Sequence, residues 1–197
     1  MTIGTYDISI VVTVDFRKRS FDAVEAHVCL LHKILKKCKF DSFLYLSSTR
    51  VYANSLSIDE NTQILVNPNK FEGIYNISKI MGESLCFASV KPNVHIVILS
   101  NVVGNCNNTN DFLSSLIHDA INYKKIILHT TSRSKKDYVY IDDVKILPKI
   151  LVQSKQKIYN VVSGKNTKVK EITDELKKKT NCEIILNQIL KKIHFLK

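Results

Sequence analysis

Short apolar runs, each followed by a longer amphipathic one, constrain the fold of this chain more than any other feature. Ile8 to Val14 reads Ile-Ser-Ile-Val-Val-Thr-Val, a nearly continuous apolar run of the kind found in strands covered on both faces. Phe21 to Lys37 follows with helical spacing: Val24, Val28, Leu31 and Leu35 share one face, while Lys33, Lys36 and Lys37 lie elsewhere. Phe43 to Ser47 is again a strand. A polar stretch from Asn54 to Gly73, punctuated by Pro68, reads as a surface loop. Beyond it the pattern predicts a helix over Tyr75 to Ala88, a strand over Val94 to Leu99 and a helix over Asp111 to Tyr123, capped by Asn108 or Thr109. A short strand over Tyr138 to Ile141 precedes a helix capped by Asp142 or Asp143 and interrupted near Pro148. Ile158 to Val162 is a strand, Val169 to Lys179 a helix, and Glu183 to Leu186 a final strand. A βαβα order of this kind predicts a parallel sheet with helices on both faces.

At 197 residues and 45% hydrophobic, the chain can bury one substantial core, and no linker or repeat divides it. Disorder is excluded by that hydrophobicity and by the lack of low-complexity tracts. No stretch approaches the roughly 18 apolar residues of a membrane span. Asp7 and Asp15 flank the first apolar run without the basic region and long apolar core of a signal peptide. The five cysteines (Cys29, Cys38, Cys86, Cys106, Cys182) are odd in number and form no C-x-x-C pair, which predicts reduced thiols and a cytoplasmic protein with no metal site. Net charge is +11, yet the lysines are dispersed and only Arg17, Arg19, Arg50 and Arg133 are arginines. Solvated lysines on helix faces explain this better than a nucleic-acid surface does, and a phosphate-bearing small substrate is the next reading.

Tyr75-Asn76-Ile77-Ser78-Lys79 places a phenol and an ammonium one helical turn apart. A tyrosine is a poor base at its usual pKa of about 10. A cation about 5 Å away at an effective dielectric near 20 favours the phenolate by roughly 3 kcal/mol, about two pH units. Beside a positively charged nicotinamide, Tyr75 could then exchange a hydroxyl proton while the adjoining carbon exchanges hydride. Ser48, at the end of the strand before it, supplies a hydroxyl to hold the same oxygen in line. Taken alone, Y-x-x-x-K occurs in many helices as an exposed aromatic and a solvated lysine.

Further stretches give the pair a context: Phe43-Leu44-Tyr45-Leu46-Ser47-Ser48-Thr49-Arg50-Val51-Tyr52-Ala53, Leu99-Ser100-Asn101-Val102-Val103-Gly104, Asp137-Tyr138-Val139-Tyr140-Ile141-Asp142-Asp143-Val144, and Ile158-Tyr159-Asn160-Val161-Val162-Ser163-Gly164. In this order and spacing the set resembles the extended short-chain dehydrogenase/reductase family, in its NAD-dependent nucleotide-sugar epimerase/dehydratase branch, from about Asp7 to about Leu176. The resemblance implies a catalytic hydroxyl at Ser48 and a catalytic pair at Tyr75 and Lys79. It implies cofactor contacts at Ser47, Tyr75, Lys79 and Asn101, with NAD or NADP as cofactor. Thr49, Asn101 and Lys136 become candidates for binding a nucleotide-sugar substrate, Asn101 in the loop after the sixth strand and Lys136 near the nucleotide diphosphate. Sugar 4,6-dehydratases of the family carry Asp-Glu where this chain has Thr49 and Arg50. The resemblance therefore points to epimerisation or ketone/alcohol interconversion, in surface-polysaccharide synthesis, and away from dehydration by that route.

Relatives begin with a glycine-rich turn that cradles the cofactor pyrophosphate, whereas the glycines here are Gly4, Gly73, Gly82, Gly104 and Gly164. The expected fold is a partial Rossmann-like doubly wound parallel sheet that lacks its first βαβαβ half, on the order of 60 residues, with a small C-terminal α/β substrate-binding region. Residues 1–197 form a single incomplete domain in this reading, about 1–105 the Rossmann remainder and about 106–197 the substrate side. The strand over 8–14 becomes an exposed sheet edge, so the polypeptide alone is expected to be poorly soluble or self-associated. Two readings stay open: an N-terminally shortened oxidoreductase, and a non-catalytic remnant or interaction protein that keeps the scaffold without the cofactor. A homodimer through helices 21–37 and 75–88, or a partner over the 8–14 edge, is the expected assembly.

Overall fold

A computed structural model describes residues 8–10, 20–70, 73–104, 111–151 and 154–187. They fall into two compact units, one drawn from Met1–Ser100 and Asp143–Val161, the other from Asn101–Asp142 and Val162–Lys197.

The first unit is built on four parallel strands in the order β1 (Ile8–Ile10), β2 (Phe43–Ser48), β3 (Val94–Leu99) and β7 (Ile158–Val161). Of the strand expected over 8–14, residues 11–14 lie outside the described residues. Phe43 pairs with Val94 through to Ser48 with Leu99, and Ile96 pairs with Ile158. Parallel neighbours require crossovers, and helices provide them. α1 (Ser20–Val24), a π-helical turn (Glu25–Leu30) and α2 (Leu31–Lys37) lead into β2, and α3 (Gly73–Ala88) leads into β3. Every residue of β3 is buried, as are Phe43 through Ser47 of β2. This is the pattern of strands covered on both faces. Leu31, Ile34 and Leu35 of α2 and Cys86 of α3 pack with Phe43, Tyr45, Ile96 and Ile98 into one core that also holds Val51 and Tyr52.

The helical face expected from Val24, Val28, Leu31 and Leu35 is correct only in its second half. Leu31, Ile34 and Leu35 are buried, but upstream the buried residues are Ala23 and His27. His27 lies within the π-helical turn, which accommodates one residue more than an α-helical turn, so from there toward Ala23 the buried stripe slips back by one position. Gly82 marks the closest approach in this layer. A Cβ there would lie 2.1 Å from the Tyr45 hydroxyl and 2.9 Å from the His27 carbonyl oxygen.

The second unit holds β4 (Asn101–Val103), β6 (Lys135–Tyr140) and β8 (Asn166–Lys168) in one sheet, with β4 parallel and β8 antiparallel to β6. β5 (Lys125–Leu128) pairs in parallel with β9 (Glu183–Leu186). α4 (Phe112–Asn122) and α7 (Val169–Thr180) pack on that pair through Leu116, Ala120, Ile126, Leu128, Val169 and Cys182. The cap of α4 is Asp111, whose Oδ1 accepts from the Ser114 amide at 2.8 Å. Asn108 and Thr109, the expected caps, lie outside the described residues. The loop expected after the sixth strand is strand β4 instead, because Val102 and Val103 pair with Val139 and Tyr140. Two short helices, α5 (Ile141–Lys145) and α6 (Leu147–Leu151), replace the single interrupted one. Among the described residues no helix is long and apolar enough to cross a membrane.

Candidate active site

The site forms at the carboxyl end of β2, where an open parallel sheet ordinarily presents its ligands. β2 ends at Ser48, and residues Thr49–Tyr52 turn at once into a 3₁₀ helix. Ser48 caps that turn, its Oγ accepting from the Arg50 amide at 3.4 Å. The same hydroxyl acts on the phenol of Tyr75, which stands in the first turn of α3, and favours its ionised form. Strand end and helix start thus bring the hydroxyl and phenol together, as the sequence predicts.

Tyr75 is enclosed by groups from three directions. The His27 ring meets it edge-on, with centroids 5.4 Å apart. The Arg50 guanidinium lies 5.7 Å from its ring centroid, and the Lys79 ammonium 6.0 Å. His27 is in turn fixed by a 2.9 Å bond between its Nδ1 and Ser78 Oγ, while Ser78 Oγ donates to the Tyr75 carbonyl at 2.8 Å. A hydroxyl has one proton to give, so with that proton on the Tyr75 carbonyl, His27 Nδ1 is the donor to Ser78.

Lys79 lies one turn further along α3 and is only 4% exposed. Its Nζ donates to the Leu46 carbonyl at 2.8 Å and sits 5.3 Å from the Tyr45 ring centroid. Tyr45 closes the arrangement by donating to the Lys79 carbonyl at 3.3 Å. Burial pushes the Lys79 ammonium down to about 8, against the opposing pull of Glu83. Glu83, one further turn along and equally buried, accepts a short hydrogen bond from the Ser47 hydroxyl. Burial raises its carboxyl above the ordinary range, while Ser47 and Lys79 pull it back.

The electrostatics of Tyr75 differ from the expectation in one respect. Burial raises the phenol above its usual value, and the groups that lower it are the Arg50 guanidinium and the Ser48 hydrogen bond. The Lys79 ammonium, itself buried and bonded to the Leu46 carbonyl, lies 6.0 Å from the Tyr75 ring centroid.

Ser47, Ser48, Tyr75 and Lys79 are brought together in the first unit, and Thr49, half-buried, opens the 3₁₀ turn beside them. Asn101 and Lys136 belong to the second unit. There, Asn101 Nδ2 donates to the Asp137 carbonyl at 2.9 Å, and the Lys136 ammonium lies 4.4 Å from the Phe112 ring centroid. Sequence reasoning missed His27, Glu83 and the role of Asn160. Asn160 accepts from the Tyr52 hydroxyl at 3.1 Å, donates through Nδ2 to the Ile58 carbonyl at 2.6 Å, and gives its amide to Glu60 at 2.8 Å. It therefore ties the loop after the 3₁₀ turn to β7. The spacing of Glu83, four residues past Lys79 on an apolar helix face, could have found that residue. No sequence signal marks the π-helical turn that buries His27.

Comparison with known proteins gives the arrangement a family. A curated relative, the dTDP-D-glucose 4,6-dehydratase of Dictyostelium discoideum, is 27% identical over 144 residues, covering 64% of this chain and 32% of its own length. Among solved structures, an NAD dependent-NDP-hexosamine 5,6-dehydratase, TunA, of tunicamycin biosynthesis superposes with a TM-score of 0.74 at 21% identity, over 91% of this chain and 61% of its own. RMD from Pseudomonas aeruginosa, complexed with NADPH, superposes with a TM-score of 0.76 at 20% identity, over 90% of this chain and 67% of its own. The chain thus spans about a third of the curated relative and somewhat under two thirds of TunA, and the structural likenesses establish a Rossmann-like fold. A family model for the NAD dependent epimerase/dehydratase family matches residues 18–162, which contain Ser48, Tyr75 and Lys79, and the chain belongs to that family.

Proposed function

We propose that this chain carries the proton-exchange site of an NAD(P)-dependent nucleotide-sugar oxidoreductase of the epimerase or reductase type. One observation carries the reading: at the carboxyl end of β2 the Ser48 hydroxyl acts on the enclosed Tyr75 phenol, whose ring centroid lies 6.0 Å from the ammonium of the buried Lys79. Ser48 caps the 3₁₀ turn and faces the phenol in this reading. A substrate hydroxyl or ketone oxygen entering between them accepts or donates at both groups. Tyr75 then takes or returns the proton on that oxygen, and Ser48 fixes its position.

The donor set also fits a dinucleotide. Lys79 has three N–H bonds, and the bond to Leu46 uses one of them. Ser47, Tyr75 and Lys79 would hold the nicotinamide-ribose part, and Asn101 belongs to the same proposal. When bound, NAD or NADP supplies the hydride acceptor and donor. Thr49 and Lys136 are proposed contacts to the nucleotide sugar. Dehydration by the acid/base pair of the sugar 4,6-dehydratases is disfavoured, because Thr49 and Arg50 stand in those places. A homodimer through the α1–α2 and α3 helices is part of the proposal, supported by exposed Phe21, Leu30, Met81 and Phe87.

Purified protein is assayed with NAD or NADP and a panel of UDP- and dTDP-sugars, following reduced nicotinamide and sugar interconversion. Tyr75→Phe is expected to lower turnover by about 10²- to 10⁴-fold, and Ser48→Ala by about 10- to 100-fold. Turnover untouched by Tyr75→Phe overturns the reading. Calorimetry showing no binding of either cofactor favours the non-catalytic remnant in its place.

A further inference from the structure

We propose that Glu83 is the buried counter-charge that keeps the Lys79 ammonium protonated beside Tyr75, a positioning residue anchored to β2 through Ser47. The inference rests on the reading of Tyr75 as the proton carrier with Lys79 as its partner. An ammonium taken out of water sheds its proton readily unless an opposite charge is held nearby. Lys79 is 4% exposed and Glu83 5%, and among the described residues no other lysine, arginine, aspartate or glutamate is so buried. They stand one turn apart on α3, a spacing that sets their Cβ atoms about 6 Å apart on one face. They also reach adjacent residues of one strand. Lys79 Nζ donates to the Leu46 carbonyl at 2.8 Å, and Glu83 Oε1 accepts the short hydrogen bond from the Ser47 hydroxyl. Covalent geometry holds a carbonyl oxygen and the hydroxyl oxygen of the next residue within about 4.5 Å, so the two charges lie within about 10 Å of each other.

Ser47 fixes the anion. A hydroxyl has one proton, and here it goes to Glu83, a bond that favours the carboxylate over the acid. The Ser47 oxygen can then meet a bound ribose only as an acceptor. The same bond ties the turn of α3 beyond Lys79 to the strand that ends at Ser48. The other titratable or charged groups around the pair are Tyr45 from β2, Tyr52 from the 3₁₀ turn, Tyr75 and Cys86 from α3, His27 from the π-helical turn, and Arg50 beside the Tyr75 ring. Burial pushes the three tyrosines and the thiol up, so none of them supplies negative charge at neutral pH. Glu83 is the one carboxyl of the set. The influence is mutual, since Glu83 opposes the burial that lowers Lys79, and Lys79 opposes the burial that raises Glu83.

The test titrates Lys79 directly. The chain carries lysine labelled with a carbon isotope at Cε and is followed by carbon NMR, with the Lys79 resonance assigned by its loss in Lys79→Met. Glu83→Gln keeps an acceptor for Ser47 and removes the charge, so it is expected to lower the Lys79 midpoint by about one to two pH units, the effect of a unit charge about 6–10 Å away. Glu83→Asp keeps the charge one methylene shorter and gives less than about half of that fall. Ser47→Ala, read on labelled glutamate, raises the Glu83 midpoint by about half a unit or more, because the bond that favoured the carboxylate is gone. Unchanged shifts of the other lysines confirm the fold, and Glu83→Leu carries the same expectation should glutamine disturb it. A Glu83→Gln midpoint within about 0.3 units of the parent, a Glu83→Asp midpoint as low as that of glutamine, or an unmoved carboxyl in Ser47→Ala overturns the proposal. A residue that merely packs would leave the Lys79 midpoint in place. The titration needs neither substrate nor cofactor, so its failure leaves the proton-exchange reading standing, whereas that reading falls on the turnover of Tyr75→Phe.

Discussion

Replacing Lys79 with Met should stabilise the protein at neutral pH while removing a residue of the site. The side chain is 4% exposed, and burial moves its ammonium from 10.5 to about 8. The unfolded chain therefore holds this proton up to about 10.5, and the folded one only up to about 8. At about 1.4 kcal/mol per pH unit, folding with the lysine charged costs about 3 kcal/mol below pH 8. Methionine has similar length and no charge. It forfeits the bond to the Leu46 carbonyl, worth about 1 kcal/mol, so a net gain of about 2 kcal/mol at neutral pH is expected. As pH rises from about 8 to about 10.5 the unfolded parent binds more protons than the folded one, its stability climbs, and the gap to the variant closes. Buried acids act the other way: Cys86 and Tyr52 are each pushed up to about 12, so the unfolded chain loses those protons first and both proteins weaken at high pH. Subtracting variant from parent removes that shared part. Urea unfolding followed by circular dichroism at several pH values from about 7 to about 10 measures the difference. A variant less stable than the parent at neutral pH, or a gap that does not change with pH, refutes the reasoning.

Gly82→Ala forces a methyl to within 2.1 Å of the Tyr45 hydroxyl and 2.9 Å of the His27 carbonyl. It should cost about 1–3 kcal/mol, read as a lower urea midpoint with an unchanged slope. Burial raises the Glu83 carboxyl, so the folded state holds that proton at pH values where the unfolded chain has lost it, and stability falls as pH rises through this range. Relative to Glu83→Gln, the parent should therefore gain stability as pH is lowered toward about 4.5, the range checked by the same melts. Asn160→Ala removes three side-chain and loop ties at once only in part, since its amide bond to Glu60 survives. Loss of the other two should cost about 1–3 kcal/mol and speed amide exchange over residues 55–62.

The parallel sheet was legible because burial on both faces writes itself as unbroken apolar runs. Val94–Leu99, buried throughout, was read with its exact ends for that reason, and the apolar Ile184–Leu186 run gave the ends of Glu183–Leu186 although that strand is only half-buried. Three short strands were not read. Asn101–Val103 and Asn166–Lys168 are three residues each, half-exposed, and exist by pairing with Lys135–Tyr140, a non-local cause that no local pattern carries. Lys125–Leu128 follows directly on Lys124, whose positive φ of 52° breaks the helix before it. The proximity of Ser48, Tyr75 and Lys79 was legible from motif order. The burial of Lys79 was not, because desolvation is a property of the packed state.

The π-helical turn at Glu25–Leu30 gives the gene a one-codon lever over the site. Deleting a single residue there would relax the segment to ordinary helix and rotate everything upstream by about 100° relative to the sheet. Leu31, Ile34 and Leu35 would stay seated, but His27 would swing away from the Tyr75 ring and Ala23 would leave the interior. Among homologues, a lone alignment gap inside this helix would therefore mark proteins whose tyrosine has lost its histidine neighbour, even where every motif residue is retained.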